Sequence, residues 1–253
     1  PNLNARLGAN RKIEPPMKVT SLPQNPGPAA WNAILPTQQR LPSLLNEVTA
    51  DWLIVGAGFA GLSAARRLQV ATPNDQIVVL DAKTLAEGPA GRNSGFMIDL
   101  PHDLTSDDYG GQIDKDLITI SQNRDAIAFA RDMVDTLNLP ADAYRPIGKI
   151  SAAASERGLT LSHKFAEHLT KLGEVHEMLD AKAMQNIAGI SYYQGGLFTP
   201  GTVMLQPALF IRSLGVKLVS NRLRIYEESL VVALERKKGL WKAQTPKGKY
   251  PCT

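Results

Sequence analysis

Three glycines, Gly56, Gly58 and Gly61, stand in the run Asp51-Trp-Leu-Ile-Val-Gly-Ala-Gly-Phe-Ala-Gly-Leu-Ser-Ala-Ala-Arg-Arg-Leu68. Their spacing suits one task, holding a pyrophosphate against the main chain. A buried apolar strand must turn sharply at the first glycine, the second lets a phosphate approach the backbone, and the third lets the next helix pack on the strand. Phe59 and Ala60 begin that helix, whose first-turn N–H groups and dipole favour negative charge. Glycine-rich turns are common, but here a strand precedes the turn, a helix follows, and a second apolar run, Gln76-Ile-Val-Val-Leu80, ends in Asp81-Ala82.

Asp81 lies 25 positions beyond Gly56, somewhat more than the roughly 20 usual for a carboxylate that holds ribose hydroxyls. Thr72-Pro-Asn-Asp75 accounts for the excess as a longer turn. The plainer alternative for Asp81 is a solvated carboxylate at a strand end. Next comes a second glycine-rich stretch, Gly88-Pro-Ala-Gly-Arg-Asn-Ser-Gly95, read as a close-packed flexible loop.

Other polar groups point to less. His163 and His168 are five apart on a helix rather than the four that put two ligands on one face, so no metal site is expected. Asp99, Asp103, Asp107, Asp108, Asp114 and Asp116 could draw a cationic substrate, although a solvated loop and helix start explain them as well. Tyr192-Tyr193 could line a pocket, but aromatic residues in strands are usually core.

The elements around these residues are set by periodicity and punctuation. Residues 1–48 hold eight of the 17 prolines, which disfavour long helices and central strands. They read as an extended arm anchored by Trp31, Ile34, Leu35, Leu44 and Leu45. A long amphipathic helix is expected over 111–139, with Ile113, Leu117, Ile120, Ile127, Ala130, Val134 and Leu137 on its apolar face and Pro140 closing it. Then come a strand over 148–153, a helix over 156–172 and a short helix capped by Asp180 and stopped at Gly189. A helix begins at Pro207. Strands are expected at Leu223–Tyr226 and Val231–Leu234, and residues 240–245 should form a hairpin with the residues after Lys247-Gly248.

Composition narrows the classes. A hydrophobic share of 43% and 253 residues suffice for two compact units. The net charge of +4 is scattered, with no basic block interleaved with aromatics, so nucleic acid is not an expected partner. The single cysteine, Cys252, excludes an internal disulfide framework or a multi-cysteine metal site and suits a reducing compartment. No apolar run reaches about 18 residues and no signal pattern opens the chain, which makes cytoplasmic the expected location.

From Gly56–Gly61 together with Gly91-Arg92-Asn93-Ser94-Gly95, the sequence resembles the FAD-dependent D-amino-acid oxidase superfamily, and within it the gamma-glutamylputrescine oxidase branch most. Gly196-Leu-Phe-Thr-Pro-Gly201, Leu205-Gln-Pro-Ala-Leu209 and Glu228-Ser-Leu-Val231 are similar to later segments of that family, the last to the strand whose backbone meets the adenine. The resemblance implies an α/β fold: an FAD-binding Rossmann-like domain over 49–100 and 201–253, an inserted α+β substrate domain over 101–200, and a C-terminal part missing. It implies noncovalent FAD held by Gly56, Gly58, Phe59, Ala60, Gly61, Asp81, Ala82, Arg92, Asn93, Ser94 and Val231. For Arg92, an ordinary surface arginine is the alternative. The implied reaction is oxidation of a small-molecule amine or amino acid by hydride transfer to flavin, followed by imine hydrolysis.

No catalytic side chain or oligomeric state is assigned. His102 comes shortly after the loop and is the one candidate to face flavin or substrate, with a backbone-bonded loop histidine as the alternative. Family members continue well beyond residue 240, so a noncatalytic remnant or subunit with the same fold stays open. An NAD-dependent dehydrogenase is disfavoured by the GRNSG loop and the long helix after it.

Overall fold

Two four-residue runs of β-branched, aromatic and aliphatic side chains, Trp52–Val55 and Ile77–Leu80, have the composition of strands, and they pair in parallel. The computed structural model describes residues 17–18, 20–21, 27–101, 111–237 and 239–246. In chain order the elements are β1 (Met17–Lys18), α1 (Ala30–Ala33), β2 (Trp52–Val55), α2 (Phe59–Ala71), β3 (Ile77–Leu80), β4 (Phe96–Met97), α3 (Ile113–Leu137), β5 (Tyr144–Arg145), β6 (Lys149–Ala153), α4 (Glu156–Leu172), β7 (Glu177–Asp180), α5 (Ala181–Ala188), β8 (Gly195–Thr199), β9 (Val203–Leu205), α6 (Pro207–Leu218), β10 (Leu223–Tyr226), β11 (Ala233–Lys237) and β12 (Leu240–Gln244). The chain divides into two compact units, Pro1–Arg92 with Gly215–Thr253, and Asn93–Leu214.

The first unit is built on a parallel sheet in the order β10-β3-β2. β3, in the middle, has all four residues buried. β2 was expected to be buried but lies at the edge, with Trp52, Leu53 and Val55 exposed by 40%, 38% and 54%. The physical reason is position: among the described residues no strand pairs with its outer side. Val78, Leu80 and Val231 form a core cluster on which Leu44, Val48, Ala50, Tyr226, Leu234 and Ala243 pack.

β12 pairs with β11, Leu240 opposite Lys237, and Gly239, at φ +84°, makes the tight turn between them; the later segment expected to pair with β12 falls in residues 247–253, outside the described residues. One further expectation for this unit is corrected. The segment Glu228–Val231 is a turn rather than a strand, because Glu228 takes φ +48° and the ladder begins only at Ala233.

The arm from residue 27 onward carries one short helix, α1, and is held as much by polar groups as by apolar ones. Ile34 and Leu45, expected as anchors, are exposed by 71% and 79%. Leu44 does pack on the cluster beneath. The N–H groups of Leu41 and Leu44 donate to Glu227 Oε2 and Ser229 Oγ, both at 2.8 Å, so backbone hydrogen bonds do what the two exposed side chains do not.

The second unit centres on the antiparallel sheet β6-β8-β7 and the helix α4. Ser155 caps α4 by accepting from the Gly158 N–H, and Gly173, at φ +73°, ends it in the left-handed conformation that favours glycine. Asp180 caps α5 in the same way through Ala183 N–H, at 2.7 Å. Leu100, Ile120, Phe165, Ala166, Leu169 and Leu197 form the core. α3 ends at Asn138, φ 54°, two residues before Pro140. Its expected apolar face is corrected at one end: Ile113 and Leu117 are exposed, while Asp116 is buried. Asp116 takes the inward position because its Oδ2 bonds His168 Nε2 at 2.8 Å and accepts from the Gly111 N–H at 3.0 Å.

Among the described residues, no helix is long and apolar enough to cross a membrane.

Candidate nucleotide-binding site

The three glycines of the turn stand in three different surroundings. Gly56 sits at φ +98°, a conformation open to glycine and costly for other residues, although a Cβ there would meet nothing within 4 Å. Its N–H donates to the Leu80 carbonyl at 2.8 Å, which ties the turn to the end of β3. At Gly61 the constraint is space: an added Cβ would collide with the Gly56 carbonyl oxygen and come within 3.3 Å of Ile54 Cγ2. At Gly58 the protein leaves room, since the nearest atom to an added Cβ is Ala90 Cβ at an ordinary 3.5 Å. No atom of the described residues therefore demands glycine at this position.

Gly58 is the N-cap of α2 with extended backbone, and neither a capping side chain nor an acidic first-turn residue occupies that end. The first-turn N–H groups of a helix have no partner within the helix itself. Phe59 is half-buried and Ala60 exposed.

Asp81 stands at the carboxyl end of β3 beside this turn. Its Oδ2 accepts from the Ala57 N–H at 2.6 Å and its Oδ1 from the Lys83 N–H at 2.8 Å. A carboxylate accepts about four hydrogen bonds, so Asp81 keeps capacity for a ligand while being locked to the turn. Ala82 is next, half-buried.

Arg92 does not present a free guanidinium. Its Nε donates to the Glu87 carbonyl at 2.9 Å, and its Nη2 reaches the Gly27 carbonyl and Glu87 Oε2. The loop before it is a single 3-10 turn, Pro89–Gly91, in which Gly91 is buried against the Ala86 carbonyl with no space for a side chain. Asn93 and Ser94 are exposed and belong to the second unit; Asn93 Oδ1 accepts from the Gly95 N–H at 2.8 Å. Val231 is 8% exposed and packs with Val78 and Leu80. Its main-chain groups take no hydrogen bond among the described residues. His102 lies outside the described residues.

Glu227 and Ser229 were missed by sequence reasoning. Glu227 is 1% exposed, and its Oε1 and Oε2 accept from the Leu85 and Leu41 N–H groups at 2.7 and 2.8 Å. Burial pushes its carboxyl above the ordinary value, against the two backbone donors and Arg40, with Asp81 adding to the upward push. The one available signal was an acidic residue directly after an alternating strand, Leu223–Tyr226.

Of the acidic run, Asp99 and Asp116 are buried and Asp114 is exposed, while Asp103, Asp107 and Asp108 lie outside the described residues. Asp99 Oδ2 pairs with Arg124 Nη2 at 3.2 Å, and the same nitrogen bonds Glu174. The Glu174 bond is the main cause that holds the Arg124 guanidinium above its ordinary value. Burial pushes the Lys149 ammonium down, with Asp99 opposing. Tyr192 is exposed and stacks edge-on against Tyr193 at 5.3 Å. His163 is exposed, whereas His168 is the buried partner of Asp116.

A strand, a glycine turn, a helix and an acidic strand end, arranged in this way, define a dinucleotide-binding α/β fold. Residues 51–252 match the family described as FAD dependent oxidoreductase, and the chain belongs to that family. It is 27% identical over 196 residues to gamma-glutamylputrescine oxidoreductase of Escherichia coli, across 76% of this chain and 45% of that protein. It is 26% identical over 212 residues to the probable oxidoreductase OrdL of Haemophilus influenzae, across 82% of this chain and 48% of the relative. The chain thus spans about half the length of the curated relatives it matches. Among solved structures, glycine oxidase from Geobacillus kaustophilus shares the fold at a TM-score of 0.58 and 16% identity, over 77% of this chain and 53% of that one. FAD is the cofactor of the family.

Proposed function

We propose that the first unit holds FAD noncovalently and serves the oxidation of a C–N bond in a primary or secondary amine or amino acid. In this reading residues 49–100 and 201–253 belong to the FAD-binding domain and 101–200 to the substrate domain. One observation carries it. The turn at Gly56–Gly61, the open N-terminus of α2 and the Asp81 carboxylate converge at the carboxyl ends of two adjacent parallel strands, where open α/β sheets take their ligands.

The residues present suit the adenosine diphosphate part of FAD. Gly58 leaves space in front of the turn for a pyrophosphate, and the first turn of α2, which begins at Phe59 and Ala60, has no side-chain cap and presents a positive dipole end. Asp81, followed by Ala82, offers its spare acceptor capacity to ribose hydroxyls. The Val231 main chain, whose donor and acceptor have no partner among the described residues, could meet an adenine edge. Arg92, bonded to Glu87 and Gly27, shapes the loop leading to Asn93 and Ser94 rather than reaching out as a free cation. FAD, when bound, would supply the hydride acceptor for the carbon next to the amine. The gamma-glutamylputrescine oxidoreductase and glycine oxidase relatives support amines and amino acids as the substrate class.

The test is to titrate the purified chain with FAD and track flavin fluorescence, then add amines and amino acids without oxygen. A tightening flavin signal that an amine bleaches is the expected result; absence of any flavin uptake sinks the proposal for this chain. A second reading is a nucleotide-holding fold that does not turn over by itself. Flavin uptake with no bleaching by any amine would select it.

A further inference from the structure

Glu227 is a buried carboxylate beside the turn that the proposed nucleotide contacts leave unused. It stands directly after β10, and its neighbours in sequence grip Asp81. The Asp81 N–H donates to the Tyr226 carbonyl at 2.9 Å, and the Ser229 N–H donates to the Asp81 carbonyl at 2.7 Å. Glu227 itself reaches the far end of the same loop, where Oε1 accepts from the Leu85 N–H at 2.7 Å. The other oxygen, Oε2, accepts from Leu41 N–H in the arm at 2.8 Å.

The arm reinforces this hub. The Glu227 N–H donates to the Pro42 carbonyl at 3.0 Å, and Ser229 Oγ accepts from the Leu44 N–H at 2.8 Å. Further along, Asn32 Nδ2 donates to the Ala86 carbonyl at 3.1 Å and to Glu87 Oε1 at 2.9 Å. Ala86 lies at φ +66°, a left-handed conformation that a residue other than glycine holds only when its surroundings demand it. The loop that begins at Asp81 is therefore held in a particular path by groups that do not themselves face the turn.

A buried carboxylate is costly unless it is hydrogen-bonded, and a neutral apolar side chain could fill the same volume without accepting two N–H groups. The chemistry at this position is the acceptance of two donors from separate segments. We propose that Glu227 is a positioning residue for the nucleotide site: by bonding the Leu85 and Leu41 N–H groups it joins the arm to the Asp81 loop and aims the Asp81 carboxylate at the ribose hydroxyls of an adenine nucleotide. This rests on the nucleotide-binding reading above. It adds that the arm is part of the site's support.

Calorimetric titration of the full chain with ADP and with 2′,3′-dideoxy-ADP tests it. Hydrogen bonds from ribose hydroxyls to a carboxylate make a preference of about tenfold or more for ADP the expectation. Asp81→Asn sets the floor of that preference. Glu227→Gln keeps the shape but loses one acceptor and the charge, and Leu41→Pro removes the arm's N–H donor while leaving Glu227 in place. Each is expected to shrink the preference by about threefold or more, with the chain still folded. Should Glu227→Gln fail to fold, Leu41→Pro decides alone.

Loss of affinity for both ligands in equal measure would mark a merely structural role and overturn the inference. An unchanged preference in these variants, with Asp81→Asn abolishing it, would overturn the inference and leave the nucleotide reading standing. A wild-type chain that binds neither ligand, or both alike, overturns the reading and the inference together.

Discussion

The inward carboxylates of the two units are satisfied by different main partners. In the first, half-buried Asp81 and buried Glu227 accept from backbone N–H groups, those of Ala57, Lys83, Leu85 and Leu41. In the second, buried Asp99 and Asp116 meet the side chains of Arg124 and His168, with the Gly111 N–H as a further donor to Asp116. Backbone donors are placed by the path of the chain, so a carboxylate bonded to them holds a loop in shape and keeps lone pairs available for a ligand. Side-chain partners instead tie one element to another: His168 of α4 to Asp116 of α3, and Arg124 of α3 to Glu174 just beyond α4. The first arrangement suits a site and the second suits packing.

The largest expected effect lies in the turn that Asp81 holds. Gly61→Val drives a branched side chain into the Gly56 carbonyl, so we expect a loss of roughly 4 kcal/mol or more in stability together with loss of FAD binding, read by denaturant unfolding and flavin fluorescence. Gly58→Ala sharpens the contrast. Its Cβ meets only an ordinary contact at φ −85°, so stability should change by about 1 kcal/mol or less while FAD affinity falls. Equal losses of stability in the two variants would break the distinction between space taken by the protein and space kept for a ligand.

In the second unit, Arg124→Met leaves Asp99, 1% exposed, with Thr202 Oγ1 at 3.5 Å as a weak remaining partner. Because the Arg124 side chain is itself 49% exposed, the cost should be about 2 kcal/mol, below that of breaking a fully buried pair. Nucleotide affinity should not move; if it does, the separation of site from packing fails.

The smallest effect concerns pH. The Glu227 carboxyl is raised by burial, so its contribution to stability is fully present below the ordinary carboxylate value, about 4.3, and is lost as pH rises through the raised value. The stability of the wild type minus that of Glu227→Gln should therefore decline across that window, as measured by urea unfolding at stepped pH. A difference that grows with pH would refute the burial cause.

Much of the local structure was legible from residue types. The bounds of α4, capped by Ser155, and of α5, capped by Asp180 and ended by Gly189, are set by chemistry within a few residues. α3 was legible as a helix but not in its inward face, because Asp116 is drawn in by a histidine 52 positions away. The strand partner of β12 and the turn at Glu228 were not legible for a related reason: register depends on which strand lies alongside. At the candidate site, the turn and Asp81 were visible in the spacing. Glu227 was not, since its donors come from residues 142 and 186 positions away.

By itself the sequence determined what depends on near neighbours: the glycine turn between a strand and a helix, the acidic strand end after it, and the caps that bound the helices. Those rest on φ, on backbone donors a few residues away and on periodicity, all of which are local. Only the tertiary structure decided that, among the described residues, the apolar β2 pairs on one side while the equally apolar β3 pairs on both and is buried. Only there did Arg92 turn to Glu87 and Gly27, and Glu227 join the arm to the Asp81 loop. Those outcomes depend on which distant backbone groups come to lie beside a side chain, and a desolvated carboxylate or guanidinium takes its partners from wherever the fold brings them.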